Sequence, residues 1–300
     1  MPVSTPGVHA SSPREVAAQK RASLMNATPT FPPRTPRPLG TTQRQDRWWL
    51  EPLLNFIGFT TFVGYSLWVT FSPTGPHGLN YEWPHRPGPG WTYLSPFYSP
   101  LFGPTWWHFS PAILVLWMPL GFRATCYYYR KMYYRTYFAD PPACAVSDTK
   151  FWQRKPRSYQ GETAFPWILQ NAHRWFLYFA IYVLAVLWID AFQSIFFRAP
   201  AGQPGLHFGL GSAVLLVNAA LLSAYTFGCH ALRHLVGGSV DCWSCSRIGR
   251  ARHKVWQVVS RFNEHHMLWA WVSMICVGLS DLYIRLLAMN DVPLTRFPWL

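Results

Sequence analysis

Charged side chains are scarce in this chain of 300 residues, where they make up 13% of the total, whereas a soluble domain contains about a quarter. Hydrophobic residues account for 50% of the sequence and aromatic residues for 18%. This shortage of charge excludes an ordinary soluble domain and indicates a membrane protein. Internal repeats are also absent from the sequence, which argues against the repeat-built folds of many transporters.

Residues 1–47 lack any long apolar run and contain seven Lys or Arg together with many Pro, Ser and Thr. Such a segment cannot bury enough surface to offset the entropy that ordering costs, so we expect a disordered tail. A secretory signal needs a continuous apolar core behind its basic residues, and the stretch EVAAQKRASLMNATPTF does not supply one. We therefore expect the tail to stay on the mature chain.

Five apolar stretches are long enough to cross a hydrocarbon core of about 30 Å, which takes roughly 20 helical residues. They cover residues 51–72, 110–132, 166–196, 207–236 and 266–288. Trp and Tyr crowd their ends, as in the aromatic belts at membrane interfaces. The sequence therefore predicts an all-α membrane protein, in which a five-helix transmembrane bundle covers residues 48–290 and a short tail covers 291–300.

Lys and Arg are distributed unevenly among the segments that flank these stretches. Seven precede the first stretch, eight lie within residues 123–157 and six within 233–261, whereas the two alternate loops hold only Arg86 and Arg198. Because basic residues accumulate on the cytoplasmic side, we expect a cytoplasmic N-terminus and an external C-terminus. The aromatic residues lie in lipid rather than on a basic face, so no nucleic-acid partner is expected. The basic loops set the topology and could also dock a cytosolic protein.

The stretch CHALRHLVGGSVDCWSC, which begins at Cys229, gathers three cysteines and two histidines where the fourth apolar stretch ends. His230 and His234 are four residues apart, so on a helix they project from one face and can bind one metal ion. Cys242 and Cys245 form a CxxC pair, a spacing that lets two thiolates share a metal. The sequence predicts a metal site with these four ligands, and Cys229 is an alternative ligand.

Two thiolates and two imidazoles fit either a tetrahedral zinc site or a Rieske-type [2Fe-2S] cluster, in which histidines hold one iron and cysteines the other. Residue types do not separate the two, and ordinary interfacial thiols beside hydrogen-bonded histidines are a third interpretation. The reducing cytoplasm argues against a disulfide. The remaining cysteines, Cys126, Cys144 and Cys276, are interpreted as structural, because burial as a small hydrophobe is the default for a free thiol.

Polar side chains inside the apolar stretches collect at the predicted cytoplasmic ends of two helices. Arg123 and Tyr127 lie there on the second helix, and Gln170, His173 and Arg174 on the third. Polar groups cost energy in lipid and usually face the bundle interior. The set offers hydrogen-bond donors, a proton source and aromatic walls, so we predict that it binds a quinone head group. Snorkelling to the interface is the alternative for each residue.

Histidine is nearly absent at membrane depth, which bears on haem binding. Two bis-histidine haems require four histidines on four helices, and the first apolar stretch contains none. The histidines of the chain mostly fall at helix ends. We therefore expect no stacked pair of haems, although a single haem stays open.

Four strings carry a resemblance to a known family: FRATCYYYRKMYYRTYFADPPACAV, GETAFPWILQNAHRWFLY, CHALRHLVGG and NEHHMLWAWVSMICVGLSDLYIRL. Over residues 48–290 the chain resembles the membrane anchor subunit of actinobacterial-type succinate dehydrogenase, the five-helix form with a Rieske-like cluster. The resemblance implies two partner subunits, a flavoprotein with covalent FAD that oxidises succinate and an iron-sulfur protein that relays the electrons. It also implies a quinone acceptor, which we expect to be menaquinone.

We therefore expect a multi-pass subunit of the bacterial inner membrane that docks the two soluble subunits and passes electrons through the cluster to quinone. Succinate chemistry would lie off this chain, and the complex could assemble into a higher oligomer. A zinc-stabilised membrane scaffold would use the same ligands without redox activity. A transporter is less compatible with the sequence, because its polar residues would lie near the midplane rather than at one face.

Overall fold

The computed structural model describes residues 38–71, 93–100, 112–148, 167–196 and 208–288. Residues 1–37 of the predicted tail and the predicted C-terminal tail at 291–300 lie outside these ranges. Within them the chain forms eight α-helices and no strand. The helices are α1 (Leu50–Phe71), α2 (Ile113–Ala124), α3 (Tyr127–Thr136), α4 (His173–Phe196), α5 (Leu210–Phe227), α6 (His230–Gly237), α7 (Arg247–Glu264) and α8 (His266–Ala288). A 3-10 helix, Trp167–Ala172, leads into α4.

Four helices of the described part are long and apolar enough to cross a membrane. They are α1, α4 together with most of the preceding 3-10 helix, α5 and α8, and α2 is a shorter apolar helix. The all-helical membrane fold predicted from the sequence is thus confirmed, with four candidate spans among the described residues.

Two of the predicted long helices are each broken into a pair. The stretch predicted at 110–132 ends its first helix at Ala124, because Cys126 adopts an extended backbone before α3 begins. The stretch predicted at 207–236 breaks in the same way after Phe227, between α5 and α6. A Cβ atom on Gly228 would lie 2.7 Å from the Ala224 carbonyl oxygen, so only glycine fits at this second break.

The segment that follows α6, which was predicted to be a basic loop, contains the helix α7. Ser246 caps α7 at its N-terminus, where its hydroxyl oxygen accepts a hydrogen bond from Gly249 N–H at 2.9 Å. Arg252 binds α6 through hydrogen bonds of 2.9 Å to the carbonyl oxygens of Val236 and Gly238. The two helices therefore form a hairpin beyond the end of α5.

The end of the predicted tail is attached to a loop that follows α3. Gly40 N–H donates to the Ser147 carbonyl at 3.2 Å, and Ser147 N–H donates back to the Thr41 carbonyl at 3.0 Å. Arg44 adds a hydrogen bond of 2.9 Å to the Cys144 carbonyl. These bonds order the last residues of the segment that the composition assigned to the tail.

In the bundle, α5 packs between α4 and α8, α2 packs on α4, and α1 contacts α3 and α8. The largest buried cluster lies where α2 and α5 end and α4 and α8 begin, a region that we call the site end. Its members are Phe122, Cys126, Tyr129, Met132, Leu177, Ala180, Tyr225, Cys229, Ala270 and Met274.

The opposite region, which we call the far end, is held by buried polar contacts. Arg285 Nε lies 2.6 Å from a carboxylate oxygen of Asp281, and both side chains are buried. Ser95 donates a hydrogen bond to Asp281, and Ser99 donates one to Asp190. The segment at 93–100 is thereby fastened to the helices α4 and α8.

Candidate functional site

Two buried cysteines occupy equivalent positions at the site end. Cys126 and Cys229 are the N-cap residues of α3 and α6, with nearly identical backbone angles of φ −69, ψ 134 and φ −68, ψ 140. Their exposed fractions are 2% and 1%. The Cys229 sulfur also accepts a hydrogen bond from Ala231 N–H at 3.3 Å. The N–H groups at the start of a helix offset part of the cost of burying a negatively charged sulfur, so both positions suit cysteines that bind a metal.

Each cysteine faces a histidine that begins another helix. The distance between Cys229 Sγ and His173 Nε2 is 3.0 Å, and that between Cys126 Sγ and His266 Nε2 is 3.9 Å. His173 is the first residue of α4 and His266 the first residue of α8. The site end therefore assembles two Cys–His pairs from four different helices.

A hydrogen bond from His173 fixes which of its ring nitrogens carries the proton. Thr125 Oγ1 lies 2.7 Å from the Gly121 carbonyl oxygen and 3.0 Å from His173 Nδ1. Because the carbonyl can only accept, the threonine proton is directed to Gly121, and His173 Nδ1–H donates to the threonine oxygen. His173 Nε2 then presents a lone pair toward Cys229, which is the arrangement that metal-binding histidines require.

The second histidine, His266, is buried to 2% exposure and stacks on the ring of Tyr225, with centroids 5.0 Å apart. His173 stacks similarly on Phe122 at 4.5 Å. Nδ1 of His266 has no hydrogen-bond partner among the described residues. A buried polar atom without a partner costs free energy, so this imidazole has a donor or acceptor position left for a ligand.

The thiol of Cys229 lies outside the candidate spans, and its environment disfavours ionisation. Burial is the main cause that raises its pKa to about 12. At neutral pH the thiol therefore keeps its proton, and a metal that bound the sulfur would displace it.

A cavity of about 900 Å³ adjoins the two pairs. Four of the five residues predicted to bind quinone line it, namely Tyr127, Gln170, His173 and Arg174. Both cysteines and both histidines of the Cys–His pairs line the same cavity, so these pairs lie next to the residues predicted to bind quinone.

The fifth residue predicted to bind quinone, Arg123, does not line this cavity. Its guanidinium donates hydrogen bonds to Tyr129, to the Ala270 carbonyl oxygen at 3.1 Å and to Ser273 Oγ at 3.0 Å. The structure thus directs Arg123 to α8 and separates it from the other four.

The structure does not bring together the four metal ligands predicted from the sequence. His230 and His234 lie with ring centroids 4.7 Å apart and line the cavity. Cys242 and Cys245, in contrast, do not line it and are joined to each other by a disulfide. The expectation of free thiols at this CxxC is therefore wrong, because an exposed turn places their Cα atoms 5.6 Å apart, within reach of a bond. Within the described ranges, no three His, Cys, Asp or Glu side chains converge closely enough to hold one metal ion.

Two residues of the Cys–His pairs were not predicted as site residues. Cys126 was interpreted as structural, and His266 was given no role. The only available signal was the position of His266 at the start of the apolar stretch 266–288, since Cys126 lies inside the stretch 110–132.

The chain matches the family model described as actinobacterial succinate dehydrogenase subunit SdhC over residues 50–290. It is similar to a solved chain of the Mycobacterium smegmatis Sdh1 complex in the apo form. The two share 35% sequence identity with a TM-score of 0.65, over 87% of this chain and 96% of that chain. No curated protein matches the chain.

Proposed function

The chain belongs to the family of actinobacterial succinate dehydrogenase subunit SdhC, and we propose that it passes electrons to quinone through a Rieske-type [2Fe-2S] centre. It is a multi-pass protein of the bacterial inner membrane. Succinate oxidation would take place on a flavoprotein partner with FAD, and an iron-sulfur partner would relay the electrons.

We propose that the bundle crosses the membrane five times, with α2 as the fifth span next to the four candidate spans. The N-terminus would lie in the cytoplasm and the C-terminus outside. The distribution of basic residues supports this orientation, because α3, α6 and α7 then lie on the positively charged inner side. The site end would face the docked soluble subunits.

The residues that would hold the cluster are Cys126, Cys229, His173 and His266. A cluster contains two irons, so its four ligands do not have to surround one point, as the ligands of a single ion do. The donor set also fits, since two thiols and two imidazoles are the Rieske ligands. When bound, such a centre supplies a one-electron carrier with a potential of about −150 to +300 mV, in the range that electrons from succinate require.

The set predicted from the sequence, His230, His234, Cys242 and Cys245, stays a prediction. The disulfide between its two cysteines would have to be reduced before they could bind iron. His230 and His234 line the cavity, where they would supply protons that quinone reduction consumes. Burial, followed by the charges of His234 and Arg233, lowers the pKa of His230 and so favours its neutral form.

The cavity beside the pairs would bind the quinone head group, with menaquinone as the expected substrate. Its volume lies within the usual range for small-molecule sites. Gln170 and Arg174 would donate hydrogen bonds to the quinone carbonyl oxygens, and the ring of Tyr127 would supply an apolar wall. His173 is a proposed cluster ligand that also lines the cavity, which would shorten the path of an electron from the cluster to the quinone.

We propose that α7 docks the iron-sulfur partner. Its exposed face carries an apolar stripe with spacings of three and four residues, formed by Ile248, Ala251, Val255, Val258 and Phe262. A row of exposed basic residues runs beside the stripe, formed by Arg247, Arg250, Lys254 and Arg261. Asn263 fixes the base of the helix by a hydrogen bond of 2.8 Å to the Gly228 carbonyl, next to Cys229. A partner seated on this stripe would therefore be close to the proposed cluster.

The observation that carries the proposal is the pairing of each N-cap cysteine with a histidine from another helix. Its test uses the complete purified complex. We expect iron and acid-labile sulfide in excess of the partners' clusters, and a paramagnetic resonance spectrum with nitrogen hyperfine coupling after reduction by succinate. Zinc in place of the additional iron would contradict the electron-transfer role and favour the scaffold.

A further inference from the structure

Tyr225, near the end of α5, packs against the Cys126–His266 pair of the proposed cluster site. Its side chain is 1% exposed, and its ring stacks on His266 with an interplanar angle of 16°. The Arg123 guanidinium lies 4.7 Å from the centre of the same ring. Tyr225 is therefore one of the most completely enclosed side chains at the site end.

The hydroxyl of Tyr225 has no hydrogen-bond partner among the described residues, although it is buried. Cys126 belongs to the same buried cluster as Tyr225, and His266, on which the Tyr225 ring stacks, lies with its Nε2 atom 3.9 Å from the Cys126 sulfur. A buried phenol normally donates a hydrogen bond, and leaving it without a partner costs free energy. The position therefore suits a donor that is directed toward the Cys126 sulfur.

Tyr129 is a natural comparison, because it is a second buried tyrosine in the same cluster. Its hydroxyl is already engaged, since it donates to the Ala270 carbonyl oxygen at 2.6 Å and accepts from Arg123. The two tyrosines thus share burial and surroundings but differ in whether the hydroxyl has a protein partner.

We propose that Tyr225 is a positioning residue whose hydroxyl donates a hydrogen bond to the Cys126 sulfur when that sulfur is a cluster ligand, and that this bond raises the reduction potential. Addition of one electron increases the negative charge on the sulfurs. A hydrogen-bond donor at a sulfur stabilises that charge and so favours the reduced state. The phenol keeps its proton throughout, and the electron comes from succinate through the partner subunits. The inference rests on the proposed function, because it requires a cluster at Cys126.

The experiment compares Tyr225→Phe with Tyr129→Phe in the purified complex, using a redox titration followed by paramagnetic resonance and a thermal melt. Tyr225→Phe should disfavour reduction about tenfold, a fall in midpoint of about 59 mV for one electron, with an unchanged melting temperature. Tyr129→Phe should lower the melting temperature, because it removes a hydroxyl that has a partner, and should leave the midpoint unchanged.

A second variant covers the case in which Tyr225→Phe fails to assemble. Fluorination makes a phenol a stronger donor, so Tyr225→3-fluorotyrosine should raise the midpoint. An unchanged midpoint in either Tyr225 variant, with the cluster present, would overturn the inference and leave the proposed function intact. Absence of the additional cluster from the wild-type complex would instead overturn the proposed function itself.

Discussion

The two ends of the bundle differ in whether their buried polar groups have hydrogen-bond or ion-pair partners. At the far end, Asp281 accepts hydrogen bonds from Tyr65 and Ser95 and forms an ion pair with Arg285, so the charge is fully paired. At the site end, His266 and Tyr225 each keep a buried polar atom without a partner among the described residues. Polar groups are expensive in a membrane protein, so a closed network indicates a structural role and an open donor set indicates a ligand.

Loss of the buried ion pair at the far end should have the largest effect on stability. Asp281→Asn would leave Arg285 buried without its counter-charge, which costs about 3–5 kcal/mol. We expect a strongly lowered melting temperature of the complex, with the additional cluster still present in the protein that folds. Asp46→Asn, which breaks the exposed ion pair with Arg44, is the control and should melt like the wild type. Equal melting of both variants would contradict a structural role for the far end.

Removal of the hydrogen bond that orients His173 should weaken iron binding at the site end without unfolding the protein. Thr125→Val removes the acceptor of His173 Nδ1 while keeping the side-chain volume. Loss of such an outer hydrogen bond typically costs 10–100-fold in metal affinity, so iron should leave to a chelator faster by about that factor. Thr136→Val is a matched control, because the Thr136 hydroxyl is buried without a partner among the described residues. Equal release rates in the two variants would show that Thr125 does not orient a ligand.

Quinone binding can be tested separately from the cluster by variants of cavity residues that are not proposed cluster ligands. Gln170→Leu and Arg174→Leu should each raise KM for quinone about tenfold, which corresponds to a loss of about 1.4 kcal/mol, as expected for one hydrogen bond. The paramagnetic resonance signal should be unchanged. Gln193→Leu, near the other end of α4, is the control. If KM stays constant in both cavity variants, quinone binds elsewhere.

The smallest expected effect concerns the exposed stripe of α7. Val255 is 50% exposed, and Val255→Glu would place a charge in the proposed contact with the iron-sulfur partner, at a cost of about 1–2 kcal/mol. The fraction of this chain that co-purifies with the partner should fall as salt or detergent is increased. Gln193→Glu, at an exposed position of α4 away from α7, should bind like the wild type. Unaltered co-purification of both variants would indicate that the stripe lies against lipid instead.

Length and apolarity were sufficient to predict the four candidate spans of the described residues, because crossing the bilayer imposes the same requirement on any sequence. The breaks at Cys126 and Cys229 escaped prediction, since the apolar pattern continues across them. Both depend on backbone geometry, such as the close approach of Gly228 to Ala224, that no periodicity records.

Only part of the candidate site was predicted, because the sequence does not record contacts between separate helices. Cys242 and Cys245 were predicted as metal ligands because they lie three residues apart in the sequence. The structure instead brings together Cys126, His173 and Cys229 from separate helices. Sequence spacing reports such proximity only within one helix or turn. The residues at 170–174 that were predicted to bind quinone lie on one short segment and line the cavity together, and their binding of quinone stays a prediction.

The most direct test of the proposed cluster site is a set of matched cysteine-to-serine variants of the purified complex, assayed for iron, acid-labile sulfide and the nitrogen-coupled signal after reduction. Cys126→Ser and Cys229→Ser should each lose the additional cluster together with quinone reduction. Cys242→Ser, Cys245→Ser and Cys276→Ser should retain both. The opposite pattern, with loss in Cys242→Ser and Cys245→Ser and retention in Cys126→Ser, would contradict the assignment and place the cluster at the ligands predicted from the sequence.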